Sequence, residues 1–480
     1  MAFRFIVLAI VPFVFGCQEP SAQSTSQDDA QERQSVEISD LWSRATGVDW
    51  PSFLGPTGDS KSTETGLTSP WSESGPPIVW QRKVGVGYGI GSVSQGRYFH
   101  FDRQANQARA TCLRAETGEV LWTYEYPTAY SDLLGYNNGP RCSPIVDGDR
   151  VYLFGAEGML HCLRVANGEL VWAVNTTEQY GVVQNFFGVG STPVIDGDRL
   201  ICMVGGSPPG SPALYDSGGQ VDGNGTGVVA FNKRTGREIY RLSPELASYA
   251  SPKLATIGDR RWCFILARGG LLGFDPAEGK LDFHYPWRDR KLESVNASTP
   301  VVIGDEVFIS ETYGIGSTLL TVRPGNYDVV WCDPRNRREK SMLAHWNTPI
   351  YIDGYLYGCS GRNSPDADLR CIEWKTGKVK WVEQTPRIGR ERSSLLYVDG
   401  HLVALGEYGS LKLIKVNPEQ YELVSQVVLR ETTEATDQLR FGARPLLKHP
   451  CWAAPVLSHG LLFVRGDDRV VCLDLIPEGA

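Results

Sequence analysis

Just ahead of a series of short apolar runs, the sequence places side chains suited to binding. They are Tyr88, Asn137, Asn138, Arg141, Phe187, Tyr249, Asn296, His345, Trp346, Asn347, Arg390, Arg392 and Trp452. Guanidinium forks suit carboxylates, aromatic faces suit planar ligands, and amides supply paired donors and acceptors. Brought together, these groups would hold an anionic, planar or sugar-like ligand. Dispersed, the same groups would satisfy backbone ends and hold buried waters. Both uses are open at the level of sequence. His345 with Arg390 and a loop carboxylate would make an acid–base pair if folding joined them.

Signatures of harder chemistry are missing. There is no CxxC, no CxxCH and no cysteine–histidine spacing of a zinc site, and no GxSxG, P-loop or HExxH. "DGNGTG" sets Asp222, Asn224, Thr226 and Gly227 in the early positions of a calcium loop, but its twelfth position is Lys233 rather than glutamate. A flexible glycine loop is the expectation there, with no metal site. No catalytic residue is assigned.

The elements that must position the candidates are repeats. The slot of Pro193 in "STPVIDGDRL" recurs at Ser92, Pro144, Pro252, Pro300, Pro349, Leu396 and Pro455, at a spacing in the range of propeller blades. The second copy reads "SPIVDG", "DRVYLFGAEG", "MLHCLRVANG", "ELVW": apolar runs separated by Asp-Gly, Gly-rich and Asn-Gly turns, hence a four-stranded antiparallel meander. Runs such as "VYLF" and "LVALG" lack polar alternation, so both faces of each sheet must be covered. The fourth runs end on Trp122, Trp172, Tyr240, Trp331 and Trp381, wide rings suited to the wedge between blades. The last copy stops after three strands, while "GPPIVWQRKV" is a fourth strand with no first three. The expected fold is therefore all-β: an eight-bladed β-propeller over residues 77–480, its last blade completed by an N-terminal strand at Ile78–Lys83. A seven-bladed ring would result if the weak seventh copy merely elaborated its neighbour. The composition agrees: 52 glycines, 29 prolines, 13 tryptophans and 20 tyrosines in 480 residues favour short strands and turns. A net charge of −8 argues against nucleic acid as a partner. Cys112, Cys162, Cys371 and Cys472 share one slot in different repeats and so are expected to be small buried apolar residues rather than disulfide partners. Tight first-to-second and third-to-fourth turns share one end of the ring; variable second-to-third turns and blade crossings share the other, which is the expected working face.

Units of the form P-V-x-D-G-D-x-V … A-T-G-x-x-x-W resemble the PQQ-like propeller repeat of quinoprotein dehydrogenases and of the BamB lipoprotein of outer-membrane assembly. "DWPSFLGPTGDSKSTETGL" is similar to the lead-in of bacterial PQQ-like propeller proteins, giving residues 49–76 as a lead-in segment. "MAFRFIVLAIVPFVFGC" reads as a signal peptide over residues 1–16, its apolar run too short to span a bilayer. Its end, "VFGC", resembles the bacterial lipobox, which implies lipidation of Cys17. Residues 17–48 then read as a polar, disordered tether, and Gln18 implies outer- rather than inner-membrane sorting. The resemblance implies an exported, lipid-anchored, monomeric propeller that serves as a binding or scaffold module for an envelope protein partner. Its alternatives are a PQQ-dependent alcohol or sugar dehydrogenase and an extracytoplasmic sensor. The dehydrogenases usually carry a vicinal Cys-Cys disulfide against the cofactor, or a comparable stacking arrangement, plus a calcium site; no two cysteines are adjacent here.

Overall fold

The computed structural model describes residues 37–336, 338–431 and 444–479. Eight four-stranded antiparallel sheets, at residues 92–127, 145–175, 194–242, 253–286, 301–332, 350–382, 393–428 and 456–474, follow one another as blades. The eighth contributes three strands of its own, and Ile78–Lys83 adds the fourth, antiparallel to Arg469–Asp474 with Trp80 opposite Cys472 and Lys83 opposite Arg469. The seventh repeat is a complete blade, so the ring has eight members. The signal peptide, Cys17 and the tether up to residue 36 lie outside the described residues. From Ile38 onward the chain is packed on the propeller, although the tether was expected to run to residue 48. Leu41 N–H donates to Gln95 O, the Trp42 ring stacks on His459 at 4.0 Å, and Arg44 reaches Asp474 at 2.9 Å.

Why the inner strands are uniformly apolar is plain from their surroundings. Arg150–Phe154 is buried at every position and Ile78–Lys83 almost nowhere, because inner strands are sandwiched between neighbouring blades and outer strands face water. Cys112, Cys162, Cys371 and Cys472 are fully buried in these inner strands.

The terminal aromatics do more than fill the wedge. Trp122 Nε1–H donates to Val165 O of the next blade at 2.8 Å, Trp172 to Lys233 O at 3.1 Å, Trp331 to Trp374 O at 2.8 Å and Trp381 to Asn417 O at 2.8 Å. Tyr240 uses its hydroxyl on Pro276 O at 2.9 Å, and Trp80 of the closing strand reaches Ala115 O of the first blade at 2.8 Å. Each acceptor lies at the turn between the third and fourth strands. The glycine of that turn lies against the same ring: a Cβ at Gly168, where φ is +74°, would come within 2.5 Å of Trp122, and one at Gly118 within 2.9 Å of Trp80. Gly is required there both for its left-handed backbone and for the close approach. The A-T-G-x-x-x-W pattern is thus an interface between successive blades.

The lead-in crosses the tight-turn end of the ring. Trp50 pairs with Val93 of the first blade, Pro51 O accepts from Val146 N of the second, and the carbonyls of Thr57 and Gly58 accept Lys253 Nζ of the fourth. Ser60 and Ser62 pair with Tyr397 of the seventh, and Glu64 accepts the His459 and Gly460 N–H groups of the eighth. So short a segment can touch blades this far apart around the ring only by passing near the axis. It closes that end, and the variable loops occupy the other.

Replacing Trp80 with Ala removes a packed ring and a hydrogen bond across the one seam closed by non-consecutive chain. It should cost about 3–5 kcal/mol of stability in guanidinium unfolding, a loss Trp80→Phe restores in part.

Candidate functional site

The crossings that lead into each inner strand converge on the open end. Trp346, ahead of the sixth blade, lies 5.1 Å from Trp452, ahead of the eighth. Blades six and eight are not neighbours, so this contact forms on the axial side of the seventh. Trp452 continues to Tyr88 at 4.8 Å, and the Arg141 guanidinium stands 5.5 Å from the Tyr88 ring and 5.9 Å from Phe187. Phe187 meets Tyr249 at 5.4 Å. On the other flank, Arg392 lies over Trp346 at 4.3 Å and Trp452 at 5.2 Å. Tyr88, Arg141, Phe187, Tyr249, His345, Trp346, Arg392 and Trp452 therefore form one half-buried arc of rings and guanidinium groups.

The remaining candidates are used locally. Asn137 Oδ1 accepts Gly139 N–H, Asn138 Oδ1 accepts Asp132 N–H, Asn296 Nδ2 donates to Ala267 O, and Asn347 donates to Cys359 O and accepts from His345 N–H. These amides hold the crossings in shape. Arg390 turns to the rim, donating to the carbonyls of Thr385 and Glu383. Arg392, not Arg390, is the cation beside His345: its Nη1 lies 3.4 Å from His345 Nδ1, whereas Arg390 is held by the carbonyls of Thr385 and Glu383.

Both cations of the arc are matched by carboxylates the sequence gave no reason to single out. Arg392 donates from Nε to both oxygens of Glu407 at 3.0 Å, and Asp132 pairs with Arg141 at 2.5 Å. Glu407 comes from the second-to-third turn "GEYG" of the seventh blade and also accepts from Ser364 and, at 3.2 Å, from Trp452 Nε1. Burial raises its pKa, but hydrogen bonds from Arg392 and Ser364 and the Arg392 charge outweigh burial and bring it to about 2. His345 is pulled down to about 3 by burial and by the charges of Arg392 and Arg362. Since Arg can only donate, His345 Nδ1 accepts from Arg392 at 3.4 Å, leaving the proton on Nε2, 3.3 Å from Tyr313 Oη. A neutral imidazole held this way positions Arg392 and is not poised for proton transfer near pH 7.

Around the arc, the loop tips are apolar and exposed. Leu133, Leu134 and Tyr136 lie in the crossing to the second blade, Tyr215 in the long loop of the third, Ile388 in the crossing to the seventh and Tyr408 beside Glu407; Ile388 is 94% exposed. A cavity of about 170 Å³ lies between the second and third blades behind Phe187, lined by Tyr130, Val182, Met203, Leu214 and Leu246. In the "DGNGTG" loop, Asn224 donates to Tyr180 O and Ser207 O and accepts from Thr226, so its polar groups brace the loop. Among the described residues no group of three or more His, Cys, Asp or Glu is placed to hold a metal ion.

Residues 72–207 and 209–383 match the family described as outer membrane protein assembly factor BamB. No curated protein matches the chain. Among solved structures, BamB from Moraxella catarrhalis superposes with a TM-score of 0.53 at 12% identity, covering 82% of this chain and 96% of that one. The computationally designed Ika8 protein gives 0.51 at 8% identity, over 83% and 100%. A quinohemoprotein alcohol dehydrogenase from Pseudomonas putida HK5 gives 0.48 at 12% identity, over 90% and 81%. At these identities the likeness is one of fold.

Arg392→Ala should destabilise the protein by about 3–5 kcal/mol by stranding buried Glu407, and the R392A/E407Q double variant should regain most of the loss in chemical unfolding. Glu407 is depressed in the folded state, so its stabilising contribution is complete above the unfolded value near 4.5 and disappears as pH falls toward 2. Unfolding followed across that window should show a steeper acid loss in wild type than in Glu407→Gln.

Proposed function

The chain belongs to the family described as outer membrane protein assembly factor BamB, and from that premise we propose that it is a docking module of the cell envelope whose loop face receives another envelope protein. The observation that carries the reading is the ring of exposed apolar tips, Tyr136, Tyr215, Ile388 and Tyr408 among them, around a half-buried aromatic arc. Large apolar groups left in water on loops, beside rigid tryptophan and tyrosine anchors, are the make-up of a protein-binding surface. Its cations favour the same reading. Arg141 and Arg392 are neutralised by Asp132 and Glu407, so a small anion must compete with carboxylates already in place, whereas a partner's apolar side chains need displace nothing.

The anchor is proposed to be a lipid on Cys17, attached after removal of the signal peptide, with sorting to the outer membrane. Residues 41–44 meet the ring at its tight-turn end, at Gln95, Glu116 and Asp474. A chain tethered from that end presents the loop face outward.

The dehydrogenase reading meets a poor fit. PQQ is a planar tricarboxylate that needs free cations and a flat slot, and the guanidinium groups of the arc are engaged. The paired rings of Trp346 and Trp452 are the feature that favours a planar ligand. No step is derived through the cofactor.

Tyr136→Asp with Ile388→Asp should weaken capture of the partner from solubilised envelope by at least about tenfold, while the melting temperature stays near wild type because both side chains are exposed. Equal capture by wild type and the double variant would remove the loop face as the docking surface. Cys17→Ser should abolish incorporation of labelled fatty acid and move the protein from the membrane pellet to the soluble fraction.

A further inference from the structure

The seam where the closing strand meets the first blade contains a second polar site, lined by residues other than those of the aromatic arc. A cavity of about 130 Å³ lies between Ile78–Lys83 and the second and third strands of the first blade. Arg82, Lys83, His100, Asp102, Arg109 and Thr111 line it. His100 is 2% exposed, yet neither ring nitrogen has a hydrogen-bond partner; Asp102 Oδ2, at 3.7 Å from Nε2, is too distant. A buried imidazole with both nitrogens unmatched beside a polar cavity requires something in the cavity. Asp102 is not that group, because Arg109 holds it bidentately at 2.8 and 3.0 Å and Gly85 N–H donates to it at 2.6 Å.

The charge of the lining selects the occupant. Arg109 and Asp102 cancel, leaving Arg82 and Lys83 uncompensated across from His100. Burial, with Arg465 alongside, pulls the His100 pKa down to about 3, so near neutral pH the ring offers one N–H without adding charge. Water takes up roughly 30 Å³ per molecule in the liquid. The cavity has room for a tetrahedral oxyanion with a few waters.

We propose that the seam pocket binds a dianionic phosphoryl group, its oxygens taken by the side chains of Arg82 and Lys83, the His100 N–H and the Thr111 hydroxyl. The group comes either as free inorganic phosphate or as the head of a phosphomonoester lipid. Because its ligands belong to the closing strand on one side and the first blade on the other, its binding reinforces ring closure.

The test uses the full chain. Inorganic phosphate should raise the melting temperature saturably, whereas chloride at equal ionic strength should not. In Arg82→Gln/Lys83→Gln, the phosphate concentration at half-maximal shift should rise by at least about tenfold, the effect of losing two charged hydrogen bonds. His100→Phe, which keeps the stack on Tyr98, should weaken binding as well. In a second arm, phosphatidylcholine vesicles with and without phosphatidic acid are sedimented with the full chain carrying Cys17→Ser, which removes the proposed lipid anchor. Sedimentation that needs phosphatidic acid and is lost in the double variant assigns the group to a lipid head; a response to inorganic phosphate alone assigns the free ion. A chloride effect equal to that of phosphate, or full affinity in the double variant, overturns the site.

Discussion

The structure depends on one repeated contact, the outer-strand aromatic that reaches into the next blade. Its ring lies beneath a glycine in the left-handed conformation and its N–H or O–H ends on a carbonyl of the same turn. Three demands meet at that point: a flat surface to fill a widening wedge, a donor for an otherwise buried carbonyl, and a backbone with no Cβ in the way. None of the three tolerates much variation, which is why a loosely repeated sequence keeps Trp and Gly while its loops diverge. Where the contact is absent, other groups serve. Phe283 packs on Tyr327 between the fourth and fifth blades, and Trp71 of the lead-in is buried in the core shared by the seventh and eighth.

A ring held together at its turns leaves its two ends free to differ. One is sealed by residues 50–64, which run near the axis and hydrogen-bond to blades on several sides. The other end gathers every long crossing, and there aromatic side chains from non-adjacent blades touch. Within the arc the charges are matched: Arg141 and Arg392 each pair with a carboxylate, and burial together with the charges of Arg392 and Arg362 keeps His345 neutral. Around the arc stand exposed apolar tips such as Tyr136, Tyr215, Ile388 and Tyr408. This division of labour, charge inside the arc and hydrophobic tips outside it, suits recognition of a surface better than capture of an ion.

The blades were legible because hydrophobic runs, Asp-Gly turns and a proline slot recur with a period, and periodicity survives divergence. The closing strand was legible for a related reason, a fourth run without its first three. The arc was partly legible: residues ahead of each inner strand point to the axis in every blade, so Tyr88, Arg141, Phe187, Trp346, Arg392 and Trp452 could be read from position alone. Their counter-ions could not. Glu407 sits in a short turn of another strand pair, and Asp132 is one polar residue in a long crossing, so nothing in the linear order marks either as a partner. Arg390 and Arg392 differ by two positions, a spacing that puts both on one side of an extended segment, and nothing in the linear order marks Arg390 for the carbonyls of Thr385 and Glu383. The lead-in resembled a family segment in sequence, but its course across the axis depends on contacts with blades hundreds of residues away.

The closing seam carries a different balance from the other interfaces. Arg465, 1% exposed, donates to Gly85 O and Gly89 O and so ties down the crossing between the closing strand and the first blade. A guanidinium bound to carbonyls rather than to a carboxylate keeps its charge uncompensated, and in a buried setting that charge is felt across the seam. It opposes protonation of His100 and favours the ionised form of Asp102. Arg82 adds to the same positive field from the closing strand. An interface built only for strength would be better served by apolar groups, since buried charge stabilises weakly. The concentration of cationic and unmatched polar groups at the one joint made by distant chain is more economically understood as a site whose occupant helps to close the ring.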